Sequence, residues 1–319
     1  MEIFRGDGLP RAGVLGSADV ELGGCETDDR RNQITGIYVS LVEQAIARLR
    51  NQANAAKTGT VAASASVAPP IVDQKRMTLD AGALRARGYL PEEGQDRQFA
   101  EQYRRIKRPL IDKALSGTTA AGEPRVIMIT SALPGDGKTF TSINLAMSMA
   151  LERDISVLMM DCDVSKRHVS EIVGIREKAG LLDALVDESV DIESLVMPTN
   201  LHGLSILPAG RRADGTAELL SSNRMRQIIS SLCARVPRRI LLLDSPPLLI
   251  TNEGQALAKI AGQIVLVVRA GHTPRQAVQD AIGLFDAQRA GGLILNEVPV
   301  SEKDGYYGYG SYGTYGSGR

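Results

Sequence analysis

The segment that most constrains the fold is VIMITSALPGDGKTFTSINLA, residues 126–146, where an apolar run leads through a short loop into a helical pattern. Gly135 and Gly137 allow the backbone N–H groups of the loop to turn inward around phosphate oxygens. The helix that follows points its N-terminus at the same anion. Lys138 is placed to reach β- and γ-phosphates, and the Thr139 hydroxyl to ligate Mg²⁺. The segment therefore predicts a nucleotide phosphate site.

The loop departs from the general phosphate-loop pattern at its first position, where Ala132 replaces glycine. The simpler alternative is a glycine-containing turn in which Gly-Lys-Thr occurs by chance. The order of strand, loop and helix argues against that alternative. Asp136 within the loop and Phe140 just after it complete the predicted nucleotide-binding residues.

From Arg125 onward, short apolar runs alternate with helical patterns. The predicted strands are 126–130, 156–161, 204–207, 239–244, 263–268 and 292–295, and the predicted helices lie near 139–153, 216–235, 252–261 and 273–289. Near-continuous apolar strands that alternate with helices are typical of a parallel sheet covered on both faces. We therefore expect an α/β fold, with a doubly wound, mostly parallel sheet flanked by helices.

Aspartates end two of the predicted strands. Asp161 and Asp163 come at the end of 156–161, and Asp244 ends 239–244. In a parallel sheet these ends lie on the side where ligands bind. Three carboxylates there can surround one Mg²⁺, directly or through its waters, and one can take a proton from an attacking hydroxyl. The alternative for any one of them is a helix cap.

The predicted organisation has five parts. They are a flexible N-terminus (1–30), an amphipathic helix (31–50), a linker (51–97), the phosphate-loop domain (98–298) and a tyrosine- and glycine-rich tail (299–319). A short helix beyond a linker cannot bury its apolar face alone, so it docks either on the main domain or on a partner. A second amphipathic helix, 99–115, leads into the main domain.

The tail carries five of the eight tyrosines of the chain, with mostly glycine between them. These are Tyr306, Tyr307, Tyr309, Tyr312 and Tyr315. The plain interpretation is a low-complexity tail that does not fold.

Composition excludes several classes of protein. Lysine plus arginine and aspartate plus glutamate are each 37, so there is no general attraction to nucleic acid. Three widely spaced cysteines suit a reducing compartment. No run approaches eighteen apolar residues, and the N-terminus lacks a signal-peptide pattern. We expect a cytoplasmic protein that needs a partner chain for any role at a membrane.

With these motifs in place, the chain resembles the bacterial tyrosine kinases. The phosphate loop, LMMDCD and ILLLDSPP are similar to the Walker A, A′ and B motifs of that family, and the tyrosine-rich tail is its other hallmark. Within the family the chain most resembles the exosortase-associated tyrosine autokinases, through EQYRRIKRPL (101–110) and SLVEQAIARLR (40–50). The resemblance covers 98–319 well and 30–50 loosely. It implies a kinase linked to exopolysaccharide production.

The resemblance also implies roles for single residues. Lys138 and Thr139 correspond to the contacts with ATP and Mg²⁺. Asp161 corresponds to the catalytic acidic residue of Walker A′, and Asp163 assists the metal. Asp244 corresponds to the metal-binding aspartate of Walker B. The tail tyrosines are the implied phosphoacceptors, modified between subunits.

Further positions are assigned by the resemblance alone. Glu101, Arg104 and Lys107 fall on the Glu-x-x-Arg-x-x-Arg oligomerisation motif, with lysine in the last position, which loses the bidentate fork of arginine. The resemblance implies self-association as a homo-oligomer or a ring, and the lost arginine fork weakens the implied ring contact. Residues 164–167 lack the usual two arginines and proline of Walker A′. Asn296 corresponds to an asparagine that contacts the nucleotide base.

The family resemblance implies partners as well. They are a transmembrane adaptor or polysaccharide co-polymerase on a separate chain, which recruits the kinase to the inner membrane, and a cognate tyrosine phosphatase. The nearest alternative is a partition or division-site ATPase, whose loop reads Lys-Gly-Gly-x-Gly-Lys; Leu133 stands where that signature lysine is expected. A non-catalytic nucleotide-binding module is the third possibility, which the complete set of carboxylates disfavours.

Overall fold

The computed structural model of the chain describes residues 76–92, 94–116 and 123–298. The predicted N-terminal segment and helix (1–50) and the tail (299–319), with all five predicted phosphoacceptor tyrosines, lie outside the described residues.

The described residues form one seven-stranded sheet. The strands are β1 (Glu123–Ser131), β2 (Ser156–Asp161), β3 (Met197–Pro198), β4 (Leu204–Leu207), β5 (Arg239–Asp244), β6 (Ala261–Arg269) and β7 (Ala290–Asn296). They lie side by side in the order β3-β4-β2-β5-β1-β6-β7. Every neighbouring pair is parallel except β3 with β4. The predicted mostly parallel α/β sheet is confirmed.

Helices cover the sheet. They are α1 (Ala81–Ala86), α2 (Asp96–Leu115), α3 (Lys138–Met149), α4 (His168–Ile172), α5 (Leu181–Val186), α6 (Thr216–Ser221), α7 (Asn223–Arg235), α8 (Asn252–Ala258) and α9 (Arg275–Ile282), with 3₁₀ turns at Ile192–Leu195 and Ala287–Arg289. The helix predicted near 216–235 is two helices, because Ser222 is extended and its side chain caps α7 at the N–H of Met225.

The central strands are buried on both faces, which explains their near-continuous apolar sequence. Along β1, Val126 and Met128 pack into the layer formed with α5, α7 and α8. The alternating residues Ile127 and Ile129 pack into the opposite layer, formed with α2, α3 and α4. Side chains of one strand therefore hold both helical layers in place.

The linker prediction is wrong for its last part, residues 76–92. Leu79, Leu84 and Leu90 are buried in the same layer as α3. Asp80 caps α1 by accepting hydrogen bonds from two backbone N–H groups. Only a few apolar residues make these contacts. Their spacing in the sequence is too weak a pattern to predict that the segment is packed on the domain. The packed domain therefore begins before residue 98.

Helix α2 runs alongside the helix that follows the phosphate loop. At one end the rings of Phe99 and Phe140 meet edge to face, with centroids 5.8 Å apart. Further along α2, near the C-terminal end of α3, the Lys107 ammonium donates a 2.7 Å hydrogen bond to the Ser148 carbonyl. Both contacts join residues 41 positions apart (140 − 99 and 148 − 107), so α2 and α3 are parallel and in register.

Lys107 lies inside the subunit, contrary to the expectation that it contacts a neighbouring subunit. Its side chain is 2% exposed and also pairs with Glu152 at 2.8 Å. Burial lowers the pKa of the Lys107 ammonium, and Glu152 opposes that shift. Glu101 and Arg104 form an ion pair that is more accessible to solvent. Of the three motif residues, these two are the ones available for contact with a partner.

No helix within the described ranges has both the length and the apolar content that crossing a membrane requires.

The burial of Lys107 generates a test of stability. Lys107→Met should lower the free energy of unfolding by about 2–3 kcal/mol, because it leaves the buried Ser148 carbonyl and Glu152 without their partner. Arg104→Met, a matched change on the exposed side of the same helix, should cost less than about 0.5 kcal/mol. Urea unfolding measures both. Equal, small losses would contradict the internal placement of Lys107.

Candidate active site

The predicted site residues meet at the carboxyl ends of three adjacent central strands. Asp161 ends β2 and Asp244 ends β5, and the two are register partners in the sheet. Asp244 is also level with Ile129 near the end of β1, immediately before the phosphate loop. Adjacent strand ends therefore bring together groups that are more than 80 residues apart in sequence, as the parallel arrangement predicts.

The phosphate loop depends on glycine at two positions. Gly135 and Gly137 have φ values of 88° and 91°, in the left-handed region that favours glycine. A Cβ atom on Gly137 would lie 2.0 Å from the side-chain nitrogen of Asn296. That amide donates a 3.0 Å hydrogen bond to the Asp136 carbonyl. Asn296 thus braces the loop; its predicted contact with a nucleotide base stays a prediction.

Asp136 holds the loop together through its carboxylate. One oxygen accepts a 2.7 Å hydrogen bond from the Thr273 hydroxyl, in the loop after β6. The other accepts a 3.3 Å bond from the Leu133 N–H. Asp136 is therefore engaged in shaping the phosphate loop. The sequence offered no signal for Thr273, because its partner lies 137 residues away.

Lys138 and Thr139 open helix α3 and face the carboxylates. Lys138 is 8% exposed, and burial lowers the pKa of its ammonium, while Asp244 and Asp163 oppose the shift. The Thr139 hydroxyl donates a 2.9 Å hydrogen bond to Asp244. Phe140, the next predicted residue, turns the other way and packs on α2. Lys138 and Thr139 thus lie beside the carboxylates at the N-terminal end of α3.

Both oxygens of Asp244 accept hydrogen bonds from α3. Thr139 binds one oxygen, and Ser142 donates to the other at 2.8 Å. Burial raises the pKa of Asp244 to about 6, although both hydroxyls and Lys138 favour its charged form. Sequence reasoning missed Ser142. Its spacing of three residues from Thr139, on one face of a helix, is a signal that could have found it.

Asp161 has an asymmetric environment. Its Oδ2 accepts hydrogen bonds from the N–H of Ser170 at 2.8 Å and from the Ser170 hydroxyl at 2.6 Å. Its Oδ1 is buried and has no hydrogen-bond partner among the described residues. Burial raises the pKa of Asp161 to about 7; the Ser170 hydroxyl opposes this, and the charges of Asp244 and Asp163 add to it. Asp161 is thus a buried carboxylate with one unengaged oxygen.

Asp163 lies two residues further, in the turn between β2 and α4. It is 3% exposed, and its side chain accepts a 3.3 Å hydrogen bond from the Lys166 N–H. Cys162, between the two aspartates, is fully buried in the apolar layer opposite α3. The turn therefore presents carboxylates to the site and the thiol to the core.

The donor set fits a magnesium nucleotide better than a bare metal ion. Across 76–92, 94–116 and 123–298, no three His, Cys, Asp or Glu side chains converge into a cluster that could hold a metal. Mg²⁺ keeps several waters and takes few protein ligands when it is bound with phosphates. Thr139 and Asp244 suit that arrangement, because the Thr139 hydroxyl and the Asp244 carboxylate lie 2.9 Å apart at the start of α3, with Asp161 level with Asp244 in the sheet.

Known proteins give an independent comparison. A family model described as an AAA domain matches residues 124–285. The tyrosine-protein kinase YwqD of Bacillus subtilis is 31% identical over 218 residues, which span 66% of this chain and 86% of YwqD. The succinoglycan biosynthesis transport protein ExoP of Rhizobium meliloti is 30% identical over 214 residues, 65% of this chain.

The solved structure of the BceF tyrosine kinase domain has 29% sequence identity and a TM-score of 0.56. It covers 69% of this chain and 88% of the BceF chain. Several curated relatives are much longer, and this chain spans about a quarter of their length, 26% in the case of ExoP.

The raised pKa of Asp161 predicts how stability depends on pH without nucleotide or metal. At pH values between about 4, the pKa of Asp161 in the unfolded chain, and about 7, its pKa in the folded protein, the folded protein binds more protons than the unfolded chain. Stability should therefore fall as pH rises through this window. Asp161→Asn, whose amide oxygen can still accept from Ser170, should remove that contribution and be more stable than wild type near pH 8.

Chemical denaturation with EDTA at about pH 5.5 and about pH 8 measures the effect. Asp154→Asn, a matched change at an exposed aspartate, should leave the pH dependence as it is in wild type. The same difference between Asp161→Asn and wild type at both pH values would contradict the assignment.

Proposed function

The chain belongs to the bacterial tyrosine-protein kinase family, and from this we propose that it transfers the γ-phosphate of ATP to tyrosine hydroxyls, including those of its own tail. The family model covers 124–285, and the chain matches 86% of YwqD. The proposal rests on one observation: the buried carboxylate of Asp161, beside the phosphate loop, has one oxygen without a hydrogen-bond partner among the described residues. We propose that this oxygen accepts the proton of the attacking hydroxyl.

We propose that Gly135, Gly137 and Lys138 hold the triphosphate. The loop glycines direct backbone N–H groups at the phosphates, and the N-terminal end of α3 favours the same negative charge. Lys138 contributes the cation. Thr139 and Asp244 are the residues that would hold Mg²⁺, with Asp163 in support, and Asp161 would face the attacking hydroxyl; the bound ion would supply neutralisation of the phosphate charge.

In the proposed transfer, the phenol oxygen of a tyrosine attacks the γ-phosphorus. The bond from that phosphorus to the β–γ bridging oxygen breaks, and ADP leaves with the electron pair. The phenol proton passes to Oδ1 of Asp161. A free phenol has a pKa near 10, so it is a poor nucleophile unaided, and a carboxylate with a raised pKa is a better proton acceptor for it than an ordinary aspartate.

The position where the described chain ends supports the tail as substrate. Asn296, the last residue of β7, contacts the phosphate loop at Asp136. Tyr306 lies ten residues further along, a reach of at most about 35 Å, and Tyr315 nineteen residues, about 65 Å. These lengths suffice for delivery to a neighbouring subunit. We propose transfer between subunits, through self-association that uses the surface of Glu101 and Arg104.

We further propose that the kinase acts in exopolysaccharide production with a membrane-embedded partner. ExoP is named as a transport protein of succinoglycan biosynthesis, and this chain corresponds to 26% of its length. A separate adaptor or co-polymerase chain would take the place of the rest of ExoP and would recruit the kinase to the inner membrane. Each tail phosphate adds about −1.5 to −2 charges, so a cognate phosphatase would be needed to restore the starting state.

Incubation with Mg·ATP, followed by mass mapping of phosphotyrosine, tests the kinase proposal. Wild type should gain phosphate within 306–315, and Lys138→Met should gain none, because it lacks the cation at the phosphates. Lys178→Met, a matched change at an exposed lysine, should behave as wild type. ATP hydrolysis without phosphotyrosine, even with a membrane adaptor present, would favour an ATPase switch instead.

A mixing experiment decides between transfer within and between subunits. One partner is Lys138→Met with an intact tail, and the other is active enzyme with all five tail tyrosines changed to phenylalanine. Phosphate on the Lys138→Met tail is expected, because only a neighbouring site can supply it. An unmodified Lys138→Met tail, beside wild type that modifies itself, would show that transfer stays within one subunit.

A further inference from the structure

Ser170, a fully buried residue of α4, makes three hydrogen bonds at the side of the site. Its N–H and its hydroxyl both donate to Oδ2 of Asp161, at 2.8 and 2.6 Å. The same hydroxyl oxygen accepts a 3.1 Å bond from the Ala209 N–H, just after β4. One serine therefore joins the end of β2, the helix α4 and the end of β4.

The directions of these bonds are fixed by chemistry. A backbone N–H can only donate, so Ala209 occupies a lone pair of the Ser170 hydroxyl. The single hydroxyl hydrogen is then left for Asp161. Two donors thus point at Oδ2, while Oδ1 has no partner among the described residues. The two oxygens of Asp161 are therefore not equivalent.

We propose that Ser170 is a positioning residue for tyrosine phosphorylation, which holds Oδ2 of Asp161 so that Oδ1 alone receives the phenol. The inference rests on the proposed kinase function. Rotating the carboxylate about its bond to Cβ would break both hydrogen bonds from Ser170 and leave a buried hydroxyl without an acceptor. Neighbouring carboxylates, Asp163 and Asp244, repel Asp161 but offer no donor that could fix its orientation.

A purely structural role for Ser170 is the competing explanation. Helix α4 has no side-chain cap at its N-cap residue, Arg167, so its first-turn N–H groups need acceptors. The N–H of Ser170 finds one in Asp161, and any residue except proline at this position would keep that bond. The two hydrogen bonds of the hydroxyl, to Asp161 and from Ala209, are the ones that depend on serine. Removing the hydroxyl therefore separates orientation of the carboxylate from capping of the helix.

The test compares Ser170→Ala, Ser170→Thr and Ser148→Ala with wild type. Ser148 is a matched buried serine whose hydroxyl has no hydrogen-bond partner among the described residues. Steady-state phosphorylation of a tail peptide gives kcat and KM for ATP, titration with a fluorescent ADP gives nucleotide affinity, and thermal denaturation gives Tm.

Ser170→Ala should lose about tenfold or more in kcat, because a loosely held carboxylate meets the phenol less often in the productive geometry. Its ADP affinity and its KM for ATP should stay within about twofold, because the phosphate loop is unchanged. Ser170→Thr should recover most of kcat, since threonine keeps the hydroxyl. Ser148→Ala should match wild type.

A Ser170→Ala protein with wild-type kcat would overturn the inference. So would a loss of kcat accompanied by an equal loss of ADP affinity, since that indicates a structural role. A Ser170→Thr protein that is folded yet as slow as Ser170→Ala would also overturn it. The kinase proposal fails separately, if wild type itself transfers no phosphate to the tail peptide.

Discussion

Burial of two carboxylates at adjacent strand ends is the constraint on which the rest of the structure depends. Asp161 and Asp244 are both fully buried, level with each other across β2 and β5. Burial raises the pKa of each, to about 7 and about 6, so the fold bears a cost for holding charge there. Hydroxyl donors from α3 and α4 offset part of that cost. A cation bound beside them would offset more of that cost, which would couple ligand binding to stability.

The same arrangement links the site to the surface of the subunit. Thr139 and Ser142 of helix α3 both donate hydrogen bonds to Asp244. Helix α2 packs parallel to α3 through contacts of Phe99 and Lys107. The exposed side of α2 presents Glu101 with its neighbouring arginines. A contact made there by another subunit would act on a helix that is packed along the phosphate-loop helix. The contacts inside the subunit explain why lysine suits position 107, because its ammonium binds both the Ser148 carbonyl and the Glu152 carboxylate.

Most of the sheet and most of the candidate site could be predicted from the sequence. The features that could not be predicted were missed for a common reason. The strands at 156–161, 204–207 and 239–244 were predicted to the residue, because fully buried parallel strands are continuous apolar runs. The phosphate loop and the strand-end aspartates follow from local spacing and sheet direction. Ser170 and Thr273 did not, because isolated hydroxyls acquire roles only from partners that folding brings close. The packing of 76–92 was missed for a similar reason, since a few leucines gain burial only against α3.

The central claim, that Asp161 receives a tyrosine at Oδ1 beside the phosphate loop, is tested most directly by a complex with a transition-state mimic. Crystals of the protein with Mg²⁺, ADP, aluminium fluoride and a tail peptide would show the attacking group. We expect a phenol oxygen in line with the fluoride group and about 3 Å from Oδ1, with Ser170 still bound to Oδ2. A water molecule in the attacking position, or an Asp161 carboxylate that has turned out of its hydrogen bonds with Ser170, would contradict the account.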